Sequence, residues 1–184
     1  MAKKFLFIML AFSLFFTACD KDDPEVPSEV ELITTVTYTL TPVDGGANVV
    51  LSFVDLDGDG EGDSEITGGV LDANTNYTGT LDLLNETESP AESITEEIAE
   101  EDEEHQFFFT STISDLVVAY NDQDSDGNPI GLSSTLTTGG AASGSITIVL
   151  KHEPDKSADG VSGGDVANAG GETDIEVSFP IEVQ

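Results

Sequence analysis

The chain has 184 residues, 37 of them acidic, five of them lysine and none of them arginine or tryptophan. A formal charge of −32 excludes nucleic acid as a partner, because neutralising phosphate takes clustered Lys or Arg. It also argues against phosphate-rich cofactors: there is no Arg fork and no glycine loop ending in Gly-Lys-Ser/Thr.

Lys3 and Lys4 open a secretory-type leader, followed by an apolar run from Phe5 to Phe16 and small residues before Cys19. The run is too short for a comfortable membrane span, which takes about 20 apolar residues. Cys19 is the only cysteine, so it has no internal partner. Phe16-Thr17-Ala18-Cys19 resembles the bacterial lipobox, which implies lipidation of Cys19 and attachment to a membrane through several acyl chains. Residues 1–18 are then a lipoprotein signal peptide. Their removal leaves three lysines against 37 acids, a formal charge of −34. Residues 19–30 read as an acidic, proline-bearing tether, and 31–184 as one domain, a length that suits a single core.

Asp20-Lys21-Asp22-Asp23 after the cysteine resembles the Lys-acid-acid signal of surface-exposed lipoproteins of the Bacteroidota. Through Cys19 to Pro24, Ser89-Pro90-Ala91-Glu92 and His152 to Ser157, the whole chain resembles small marine-bacterial lipoproteins labelled "type 1 periplasmic binding fold superfamily". That label implies an α/β, two-lobed ligand binder.

The residue pattern implies a different fold. Alternation of apolar with polar or β-branched residues predicts strands over 32–40, 49–53, 64–71, 77–84, 105–113, 116–120, 133–137, 145–152 and 174–183. The first two are separated by Pro42 and Gly45-Gly46 and read as a hairpin. In the last, Ile175, Val177, Phe179, Ile181 and Val183 share one face. About nine short strands split by Gly, Asn, Asp and Pro predict an all-β chain, a single antiparallel sandwich of immunoglobulin-like or related Greek-key type. One helix is expected, capped by Ser89 with Pro90 in its first turn, and acidic as far as Glu104. The glycine-rich runs 139–144 and 160–171 read as flexible loops.

Two loops carry Asp-x-Asp-x-Asp-Gly: Asp55, Asp57, Asp59 with Asp63 beyond, and Asp122, Asp124, Asp126. Alternate carboxylates of this kind can converge on calcium, the glycine permitting the turn between ligands. The twelfth positions are Ile66 and Ser133 in place of the bidentate Glu of an EF-hand, so each loop is also readable as a plain acidic turn. The only histidines, His105 and His152, fall at the start of one strand and the end of another. Antiparallel pairing would put both at one end of the sandwich, where two imidazoles among carboxylates suit a transition metal or haem. Unpaired, they are two surface residues.

Nothing here assembles an enzyme: no thiol besides Cys19 and no Gly-x-Ser-x-Gly turn. A hydrolase using two of the many acids is the least supported reading. The composition and leader together suggest a non-catalytic, monomeric binding module on the outer membrane, surface-exposed, whose partner is an outer-membrane transporter or another surface protein. The alternative is a surface protein of structural or adhesive role braced by calcium. Much of the charge is what keeps a surface hydrated in salty media.

Overall fold

A computed structural model describes residues 31–58 and 64–184. The leader, Cys19, the tether up to residue 30, Asp59 and Asp63 lie outside the described residues.

Among the described residues the architecture is all-β: eleven strands in two facing sheets, with one α-helix. The first sheet contains β1 (Thr35–Pro42), β2 (Val49–Val54), β3 (Glu65–Thr67), β5 (Asn76–Asn85), β6 (Glu92–Ser93), β8 (Val117–Tyr120) and β9 (Ser133–Thr137). Their order across the sheet is β3-β2-β1-β5-β9-β8, with β6 on the end of β5. The second sheet runs β4-β11-β10-β7, formed by Gly69–Leu71, Glu172–Val183, Ala142–His152 and His105–Ser111 respectively. The β1–β2 hairpin is as the sequence predicts, Val36 lying opposite Phe53 and Tyr38 opposite Leu51.

Alternation explains the core. Tyr38, Leu40, Leu51, Leu81 and Leu83 from one sheet meet Phe107, Ile148, Leu150, Val177, Phe179 and Ile181 from the other. Tyr38 is fully buried with its hydroxyl satisfied by Ser134 Oγ at 2.7 Å, so the ring fills the core without stranding a polar atom. Every named strand pair is antiparallel except β4 with β11. Only Gly68 separates β3 from β4, so the chain steps between sheets at their edge and meets β11 in the same direction. A Cβ at Gly68 would stand 2.1 Å from the Pro180 carbonyl oxygen, which is why the step is made on glycine.

The strand expected over 64–71 is split into β3 and β4 in different sheets, β10 begins at Ala142 inside the run 139–144 read as a loop, and two further elements differ more. The helix α1 covers Ile94–Glu100 and is capped by Ser93, whose side chain accepts from the Glu96 N–H. Residues 92 and 93 are extended instead, pairing with Asn85 and Leu84 of β5, so the turn can begin only after them. Ile94 and Ile98 bury the helix's one apolar stripe. It stops at Glu100, before the acids up to Glu104 stack against the negative end of its dipole.

The second difference is the segment 153–171. It is an ordered excursion across the outer face of the second sheet, containing two 3-10 turns, Val161–Gly163 and Val166–Asn168. Phe108 and Val149, which point away from the main core, form a second small core with Val161 and Ala169 beneath it. Gln106 Nε2 donates to the Val161 carbonyl at 2.9 Å. This end of the second sheet is therefore covered on both faces, and β7 is buried on both sides over His105–Phe108. Among the described residues no helix is long and apolar enough to cross a membrane.

Candidate functional site

The two histidines meet. His105, the first residue of β7, is the cross-strand partner of His152, the last of β10, because the two strands are antiparallel. Their imidazoles stack with centroids 4.6 Å apart and ring planes 24° from parallel. Both lie on the core-facing side, continuing the row Ile148–Leu150 of β10 and Phe109–Phe107 of β7 to the end of the sandwich. His105 is fully buried and His152 nearly so.

Asp174 completes the cluster, and alternation along β11 conceals it. A strict period of two would send Asp174 outward with Glu176. Instead Leu150 pairs with Ile175 while Lys151 pairs with Thr173, which leaves Asp174 as the extra residue of a bulge. A bulge re-aims the side chain it carries. Both Asp174 carboxylate oxygens are buried and accept no hydrogen bond from the protein. One ligand atom from each of His105, His152 and Asp174 lies within 4.8 Å of the other two. The strand ends are held here by Lys151, whose ammonium donates to Thr173 Oγ1 at 2.9 Å and to the Gly171 carbonyl at 3.4 Å.

The tautomer of His105 follows from its partner. Its Nδ1 lies 3.2 Å from the Glu101 carbonyl oxygen, which can only accept, so Nδ1 carries the proton. The lone pair is therefore on Nε2, which is buried and makes no hydrogen bond. Burial lowers the His105 pKa, against the raising effect of the Glu101 carbonyl. Burial likewise raises that of Asp174, against the charges of His105 and His152.

Carboxylates surround this cluster. Glu31 and Glu101 form a second triad with His105, and Glu104 and Glu153 a third with His152. Glu104 Oε2 is 3.7 Å from His152 Nε2. Glu97 is half-buried against Glu31. Burial, and then the hydrogen bond and charge of Glu31, push its pKa up to about 7.

Gly171 is what lets the strands close behind the site. Its φ is +62°, and a Cβ there would stand 2.2 Å from the His152 carbonyl oxygen. Gly171→Ala is expected to part the ends of β10 and β11 and to cost about 1–3 kcal/mol, the usual range for overpacking. Urea denaturation of the variant beside the native chain measures this.

The acidic loops are placed differently. The Asp122 and Asp124 carboxylates turn onto their own loop. Asp122 accepts from the Gly131 and Ser133 N–H groups at 2.8 and 2.7 Å. Asp124 Oδ1 accepts from the Asp126 and Asn128 N–H groups, and Oδ2 from the Lys156 ammonium at 2.9 Å. Lys156 is itself buried, and also donates to the Asp102 carbonyl at 2.5 Å. A lysine from the 153–171 segment thus supplies positive charge to this loop. The Asp126 residue is exposed. In the other loop Asp55 is buried and Asp57 exposed, beside Asp59 and Asp63 outside the described residues. Among the described residues, no group of three metal-ligating side chains includes an aspartate of either loop.

Asp174 is the residue that pattern reading misses. The one sequence trace of it is Gly170-Gly171 followed by a polar triplet ahead of the strict alternation, which marks an irregular strand start. The stacked rings suit a bare ion better than haem, since a macrocycle has no room between imidazoles 4.6 Å apart. No protein-family model, no curated protein and no solved structure matches this chain.

Proposed function

We propose that this protein is a non-catalytic binding module, anchored to the outer membrane through acyl chains on Cys19, which takes its ligand at the His105–His152 end of the sandwich. The observation that carries the reading is the pair of buried acceptors, His105 Nε2 and the Asp174 carboxylate, left without protein donors under a rim of carboxylates. Buried polar groups in folded proteins are nearly always paired, and those that are not mark places where something else supplies the partner. The acidic tether suits a module held at a membrane surface, where an outer-membrane transporter or another surface protein would receive the ligand.

The test is a thermal melt of the purified full-length lipoprotein, in detergent and at fixed salt, with EDTA, calcium, zinc, copper and haem in turn. A ligand that binds only the native state raises the midpoint according to its concentration over its affinity. The expected result is a rise with at least one probe that His152→Ala removes. A rise with calcium alone, insensitive to His152→Ala but lost in Asp57→Asn, would replace this reading with a calcium-braced surface protein.

A further inference from the structure

We infer that the end of the sandwich is a binding site for a divalent transition metal ion of the zinc class, held by His105 Nε2, a ring nitrogen of His152 and the Asp174 carboxylate. The inference rests on the binding-module reading and names the ligand. The first ground is donor chemistry. A neutral His105 whose proton is fixed on Nδ1 by the Glu101 carbonyl offers only a lone pair from Nε2. Asp174, as a carboxylate, offers only lone pairs as well. One cation shared between them satisfies both buried acceptors at once. Metal-bound histidines characteristically donate their other ring N–H to a carbonyl or carboxylate, and His105 does so here.

The second ground is geometry. Four-coordinate zinc with bonds of about 2.0–2.1 Å sets its donor atoms roughly 3.3 Å apart. The three ligand atoms lie within 4.8 Å of one another, so small side-chain rotations bring them to bonding distance. Two imidazoles and one carboxylate suit zinc, copper or iron rather than calcium, which takes six to eight oxygens. Three protein donors leave the fourth tetrahedral position to water or an incoming group, so the site is open where a purely structural zinc site is closed. Glu31, Glu101 and Glu104 stand beside the ligands and draw cations toward them.

The third ground is how the site is built. The Asp174 bulge, the Gly171 close approach and the His–His cross-strand pair all fall at one end of the three neighbouring strands β7, β10 and β11. A buried carboxylate without donors opposes folding, so its presence marks a requirement other than stability.

Isothermal titration of the full-length lipoprotein with zinc, in excess calcium and fixed salt, tests this, with cobalt(II) absorption as a second readout of tetrahedral coordination. One zinc per chain is expected. Asp174→Asn and His105→Gln should each weaken it by more than about 100-fold, since even outer partners of metal ligands are worth about 10- to 100-fold. Asp174→Asn should melt, metal-free, no lower than the native chain, because it removes a buried charge. A merely structural Asp174 would destabilise on that change. Zinc binding that both variants leave intact overturns the inference, as does the absence of saturable zinc binding. If haem alone then raises the midpoint through His152, the binding-module reading survives without the metal. If no probe raises it, both fall.

Discussion

Lys156→Met is expected to cost about 3–5 kcal/mol of folding stability, the range for breaking one partner of a buried ion pair. The side chains of Lys156 and Asp124 are 5% and 1% exposed, so removing the ammonium leaves a carboxylate with almost no access to water. The two loop N–H groups remain, but they carry only partial charge. Asp124→Asn combined with Lys156→Met should recover much of the loss, because the uncompensated charge goes with the substitution. Urea denaturation of the three variants at pH 7 measures both effects.

The same pair sets a pH dependence of definite sign. Burial works to raise the Asp124 pKa, but the Lys156 ammonium and the Asn128 N–H outweigh it and hold the carboxyl below its ordinary value. Stability from a carboxyl whose folded pKa is depressed is in place above the unfolded value, about 3.9, and is lost as pH falls through the folded one. The gap between the native chain and Asp124→Asn should therefore be widest near neutrality and close on acidification below about pH 4. A gap that instead grew in acid would contradict the assignment.

Phe108→Ala is the second large effect, about 3–5 kcal/mol for truncating a buried aromatic. Phe108 is fully buried but lies outside the main core, against Val149, Val161 and Ala169. Its loss should loosen the 153–171 segment before the sandwich itself. Hydrogen exchange is expected to rise at the Val161 and Ala169 amides, which donate to Ala158 and Val166, while β1 and β5 stay protected. The segment leaves from His152 and returns just ahead of Asp174, so zinc affinity should fall with it. Uniform exchange across both sheets would mean that the excursion has no stability of its own to lose.

Much of the sandwich was legible because its strands obey one local rule. Residues such as Tyr38, Leu40, Leu81, Ile146 and Val177 each sit between two polar neighbours, and each falls in the core. The helix start was misplaced because Ser89-Pro90 and Ser93 both look like caps, and the choice was made by β6 pairing with β5, a contact that no helix rule contains. The 153–171 segment looked like loop because its apolar residues, Val161, Val166 and Ala169, have no period. They pack because Phe108 and Val149 on distant strands leave an apolar patch to cover. An α/β, two-lobed fold is absent among the described residues, as the strand pattern implied.

The same division runs through the site. The sequence by itself determined that two histidines stand at the ends of strands, that acids crowd around them and that Cys19 is the only thiol. Alternation and composition are properties of neighbours along the chain, so they can be read without a fold. Only the tertiary structure decided that His105 and His152 stack, since their pairing depends on the register of strands some 40 residues apart. It alone turned Asp174 inward, because a bulge shifts the period by one residue and is set by the partner strand. And it gave Asp124 to a lysine 32 residues away, a partner that a motif of alternating aspartates cannot name.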